Sequence, residues 1–141
     1  MPASWTEDAR LLAVGHLADR NIQLRLHYGD PGNAGTSNQI SGDGYAHATI
    51  ARGGMTREGV TNARYSNTAA VDWAAASGDW GDGTDPQPVS WVSVWYDADA
   101  PAGSGYDTLL ASFQIRSPQT VRNGDPFQIR ARELDLIAVT S

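Results

Sequence analysis

Cysteine is absent from this 141-residue chain, which excludes a disulfide, a thiolate metal site and a cysteine nucleophile. Lysine is absent too, since all ten basic residues are arginine; the bias speaks to the source genome and not to mechanism. Long apolar runs are missing: none approaches the roughly 20 residues a helix needs to span a bilayer. The acidic start Ser4-Trp5-Thr6-Glu7-Asp8 is unlike a signal peptide, so synthesis in a cytoplasm, without membrane transit by the usual signal, is expected. Positive charge is in deficit, with 16 acids against 10 bases and a net charge of -6. Such a field repels phosphate backbones and anionic lipid, so neither nucleic acid nor a membrane is an expected partner.

What remains is enough for a folded core: 40% hydrophobic and 18% charged residues in a length that suits one domain. Residues 4–20 read as a helix, because Ser4 and Glu7 match a capping box and Trp5, Ala9 and Leu12 recur at helical spacing. Beyond Asn21 the pattern changes to period two, with Ile22, Leu24, Leu26 and Tyr28 alternating with Gln23, Arg25 and His27. The Gly29–Gly44 stretch is dense in glycine, aspartate and asparagine and predicts a long surface loop. Further strands are expected at 45–50, 60–65, 69–73, 89–96, 108–115, 127–130 and 134–139, with 52–59, Ser117-Pro118 and Asn123-Gly124-Asp125-Pro126 as turns. Strand 89–96 carries apolar groups on both faces, Trp91 and Trp95 on one and Val92, Val94 and Tyr96 on the other, and so predicts a central strand. The pattern implies an all-β fold, an Ig-like or jelly-roll-like β-sandwich with a short N-terminal helix, in which residues 1–21 form an arm and helix and 22–141 one domain. A small barrel is the alternative.

Chemistry-bearing motifs are sparse. Asp79, Asp82 and Asp85 are closely spaced carboxylates on a Gly-rich segment, the raw material of a calcium site, but the spacing is not that of an EF-hand and no closing glutamate follows. A solvated acidic turn is the expectation, with calcium as a weak alternative. His16, His27 and His47 lack metal-ligand spacing and read as surface or structural residues. Ala102-Gly103-Ser104-Gly105 is not a nucleophile elbow, and Gly42-Asp43-Gly44-Tyr45-Ala46-His47 fails the dinucleotide fingerprint. Nothing in the spacing of three glutamates and thirteen aspartates selects an acid and base pair. No enzymatic activity, cofactor or metal is expected. Of the five tryptophans, Trp91 and Trp95 read as core, and Trp80, among glycine and aspartate, as an exposed contact.

Several segments, in order, carry a resemblance. Leu24-Arg25-Leu26-His27-Tyr28-Gly29-Asp30-Pro31-Gly32, Ser41-Gly42-Asp43-Gly44-Tyr45-Ala46, Ser66-Asn67-Thr68-Ala69-Ala70-Val71-Asp72-Trp73, Gly78-Asp79-Trp80-Gly81, the 89–98 strand and Ser117-Pro118-Gln119-Thr120-Val121-Arg122-Asn123-Gly124-Asp125 resemble blocks of a family of small tailed-phage virion proteins, often labelled tail-fibre-like or head-decoration proteins. The resemblance implies structural roles for Asn67, Trp80, Gly81, Asp97 and Gly124, and a place in a virion. It leads first to a capsid decoration protein on the outer capsid surface, bound to the major capsid protein and to itself as a homotrimer. A tail or fibre component that recognises a host surface is the second reading, and a carbohydrate-binding module the third. Candidate partner contacts are Trp5, Leu12, Asp30, Asn33, Thr36, Trp80 and Tyr106.

Overall fold

A computed structural model describes residues 4–5, 21–51, 54–58, 63–96 and 108–138. These form β1 (Ser4–Trp5), β2 (Ile22–His27), β3 (Ala48–Ile50), β4 (Met55–Glu58), β5 (Ala63–Asn67), β6 (Val71–Trp73), β7 (Val89–Tyr96), β8 (Thr108–Gln119), β9 (Phe127–Ile129) and β10 (Asp135–Ala138). Every pairing is antiparallel. The strands divide into a five-stranded sheet ordered β1-β8-β7-β2-β3, a three-stranded sheet β10-β5-β4 and a two-stranded sheet β6-β9. The expected all-β class therefore holds.

The expected helix over 4–20 does not begin as the capping box predicts. Ser4 and Trp5 are extended and pair with Ser112 and Ala111 of β8. An edge strand presents a row of unpaired backbone groups, and pairing with it competes with starting a helix. The remainder of that segment lies outside the described residues.

Alternation decides the large sheet. Ile22, Leu24 and Leu26 of β2 and Val92, Val94 and Tyr96 of β7 turn to one side and are buried. There they join one continuous core with Leu110 of β8, Met55, Tyr65, Val71, Trp73, Phe127 and Ile129. Residues from all three sheets thus close over a single apolar interior. As its two-faced composition predicts, β7 is central, flanked by β8 and β2. Two expectations change. Residues 55–58, read as part of a turn, pair with β5 as β4, and Ser117-Pro118 lies within β8. The strand tolerates that proline because the ladder slips there: Trp91 opposes Gln114 but Val89 opposes Gln119, leaving a bulge without β7 partners.

Candidate functional site

The outer face of the large sheet, opposite the core, is where the sequence left polar groups. On β2 it carries Gln23, Arg25 and His27, and on β7 their cross-strand partners Trp95, Ser93 and Trp91. The loop 29–40 folds back over this face. Its return leg is fixed by Tyr28 N–H donating to Asn38 O at 2.8 Å and Ile40 N–H donating to Leu26 O at 3.0 Å. Gly35, at φ +72°, lies so close to the sheet that a Cβ there would meet Trp95 Cζ2 at 2.8 Å and Leu109 Cδ1 at 2.9 Å. Only glycine combines that backbone angle with that approach.

A directional hydrogen-bond relay runs beneath the loop. His27 Nδ1 is 2.8 Å from Ser37 O; a carbonyl only accepts, so Nδ1 carries the proton. Nε2, 2.7 Å from Ser93 Oγ, is then the acceptor of the neutral ring. Ser93 Oγ in turn accepts from Trp95 Nε1–H at 2.7 Å. His27 and Ser93 are fully buried, and burial holds the imidazole pKa below its ordinary value of 6.5, more than the Ser37 carbonyl raises it. The Arg25 guanidinium lies 4.0 Å from the centre of the Trp95 ring. The relay ties loop to sheet, so the exposed residues above it start from a fixed geometry.

Trp80 is a correction. Expected as an exposed contact, it is fully buried and joins three loops. Its indole Nε1–H donates to Asp43 O at 3.1 Å, its amide donates to Val121 O at 2.9 Å and its carbonyl accepts from Gln87 N–H at 3.2 Å. The Tyr45 ring meets it edge-on at 5.2 Å, and burial pushes the Tyr45 phenol up to about 12 although its oxygen accepts from Leu26 N–H at 2.9 Å. Gly81 follows because the Ser41–Gly81 and Gly81–Pro86 bridges bring backbone against backbone, and a Cβ there would collide with Asp85 O. Polar neighbours in sequence suggested exposure, whereas the packing comes from segments distant in sequence. Trp95 is buried under the loop and not in the central core, and Trp91 is half-buried.

The other candidates distribute as follows. Asp30, Asn33 and Thr36 lie exposed on the single loop 29–40. Asp30 Oδ1 accepts from Gly32 N–H at 2.9 Å, and Thr36 O accepts from Gln39 Nε2–H at 3.1 Å. Leu12 and Tyr106, and the side chain of Trp5, lie outside the described residues. Asp79 faces the 122–125 turn, taking Asn123 N–H at 3.0 Å and a long ion pair with Arg122 at 3.5 Å. Asp82 turns inward on its own loop, accepting from Asp85 N–H and Thr84 N–H, both at 2.8 Å, which lowers its pKa. The three aspartates do not converge, and among the described residues no group of three or more histidine, aspartate or glutamate side chains forms a cation cage. What the sequence missed is the Trp95–Ser93–His27 relay; its only signal was polar residues interleaved with tryptophan on a strand apolar on both faces.

Among the described residues the fold is all-β, with a polar loop layer pinned on one face of the large sheet, and loops held on a rigid scaffold are where binding residues commonly sit. The family model described as "Podophage GP4 fiber I protein gp80" matches residues 15–137, most of the chain. The chain belongs to that family, a phage virion structural protein of fibre-like kind. No curated protein matches it.

Proposed function

We propose that this protein is a fibre or tail component of a podophage particle, non-enzymatic, acting by protein–protein contact through the loop 29–40. The observation that carries the proposal is the match of residues 15–137 to a fibre protein family. The loop geometry supports it: exposed Asp30, Asn33 and Thr36 stand on backbone held by the His27–Ser37 bond, so little conformational entropy is lost when a partner docks. The match favours this reading over capsid decoration, the reading the sequence placed first.

Immunogold electron microscopy of intact virions, with antibody raised against the purified chain, tests the assignment. Gold over the tail region or its fibres is expected. Gold spread over the capsid shell would restore the decoration reading and, with it, the major capsid protein and a local trimer as partners.

A further inference from the structure

Of the six asparagines in the chain, Asn123 alone is followed by glycine. That pairing has a chemistry of its own. The backbone nitrogen of the following residue can attack the asparagine Cγ and close a five-membered ring, and a glycine there sets no side chain in the way. Asparagine is a thermolabile residue for this reason. Asp43-Gly44 and Asp82-Gly83 share the backbone, but an ionised carboxylate resists a nucleophile and has no ammonia to release.

The structure places Asn123 and Gly124 at the centre of a tight turn. Asp125 N–H donates to Arg122 O at 2.8 Å, and Gly124, at φ +89°, takes the third position of the turn. A second segment, 76–79, grips it. Gly124 N–H donates to Ala76 O at 2.7 Å, and Ala76 N–H returns a bond to Asp125 O at 3.1 Å. Asp79 Oδ1 accepts from Asn123 N–H at 3.0 Å, and Asp79 Oδ2 stands 3.5 Å from the Arg122 guanidinium. Ring closure needs the Gly124 nitrogen deprotonated and turned onto Asn123 Cγ, whereas here its proton is committed to the Ala76 carbonyl.

We infer that Asn123 is a site of spontaneous deamidation, held shut by the 76–79 segment and reached only when the 122–125 turn opens locally. In the open turn the Gly124 nitrogen gives its proton to water and bonds to Asn123 Cγ, and the Cγ–Nδ2 bond breaks as ammonia leaves. Water then opens the succinimide at either carbonyl, yielding aspartate or isoaspartate with no change of oxidation state. Neither product fits the same clamp. Both add a carboxylate beside Asp79 and Asp125, bringing like charges together, and isoaspartate lengthens the main chain by one carbon between the bonds to Asp79 and Ala76. The turn follows Val121, whose carbonyl accepts from Trp80 N–H at 2.9 Å, so the change is felt at the Trp80 junction. The inference is independent of where the protein sits in the particle.

The test incubates the full chain at mildly alkaline pH, folded and in denaturing urea, and locates the products by peptide mass spectrometry with chromatographic separation of isoaspartate. Asn123 is expected to convert first, and in the folded chain more slowly by about tenfold or more, the effect of an open state populated to roughly one part in ten or less. Asp79→Ala removes the acceptor of Asn123 N–H and the Arg122 pair; it should convert several-fold faster, with faster hydrogen exchange at the Gly124 amide. Ser93→Ala lowers global stability without touching the turn and should convert at the parent rate. Equal rates in the folded chain and in urea overturn the inference, as does an unchanged rate in Asp79→Ala or another asparagine reacting first. So does equal acceleration in Ser93→Ala, which would place the reaction in the globally unfolded chain.

Discussion

His27 Nε2 accepts a hydrogen bond from Ser93 Oγ across 2.7 Å, joining residues 66 apart in sequence at a fully buried position. The bond makes the neutral ring a structural requirement. Protonation would place a hydrogen on Nε2, oblige the Ser93 hydroxyl to turn away, and bury a charge under the loop.

Stability should therefore depend on His27 in acid. Its folded pKa is depressed below 6.5, by burial foremost, so the unfolded chain binds the proton first as pH falls. Stability drops from about pH 6.5 downward until the folded pKa is reached, and is regained as pH rises. Urea denaturation of the parent and of His27→Phe checks this: the variant is less stable at neutral pH, and the gap between the two narrows as the solution is acidified.

Ser93→Ala removes the partner of both Trp95 Nε1 and His27 Nε2. Two buried polar atoms lose their bonds at a cost of about 1–3 kcal/mol each. A melting temperature lower by roughly 2–4 °C per kcal/mol should follow, measured by circular dichroism.

Trp80→Ala should be among the most damaging single changes, at about 3–5 kcal/mol, because a fully buried indole is lost together with its bond to Asp43. Gly81→Ala should also destabilise, by collision with the Asp85 carbonyl. Denaturant midpoints for both variants check this; a Trp80→Ala protein as stable as the parent would refute the joining role.

Asp30→Ala, Asn33→Ala and Thr36→Ala should behave oppositely. All three side chains are exposed, so Asn33→Ala and Thr36→Ala should each alter stability by no more than about 0.5 kcal/mol, and Asp30→Ala, which also frees Gly32 N–H, by about 1 kcal/mol at most. Combined, they should reduce incorporation of the protein into particles, read by quantitative blotting of virions produced in complementation.

At the alkaline end, Tyr45 sets a second limit. Its folded pKa is about 12 against an ordinary 10.0, so above pH 10 the unfolded chain loses the phenolic proton first. Stability falls from there to about pH 12, and Tyr45→Phe should flatten that decline.

Strand β7 was legible in full because its alternation is strong and its length ordinary, and the same holds for β2. Strand β4 was not, since Gly53-Gly54 beside Met55–Glu58 gives a turn signal, and only pairing with β5 makes it a strand. The exposure of Asp30, Asn33 and Thr36 was legible from composition, because they sit among turn residues that favour the surface. Trp80 and the His27 relay were not, for a shared reason: each depends on a loop folding back onto a distant strand, and neither periodicity nor local polarity encodes that return. The resemblance compensated in part, since it implied a structural role for Trp80 and Gly81.

The fibre assignment is tested most directly by quantitative mass spectrometry of virions separated into tail-less heads and tail complexes. For a fibre or tail component, the copies follow the tail or fibre fraction and are absent from tail-less heads. A copy number in proportion to the shell subunits, on heads without tails, would contradict it.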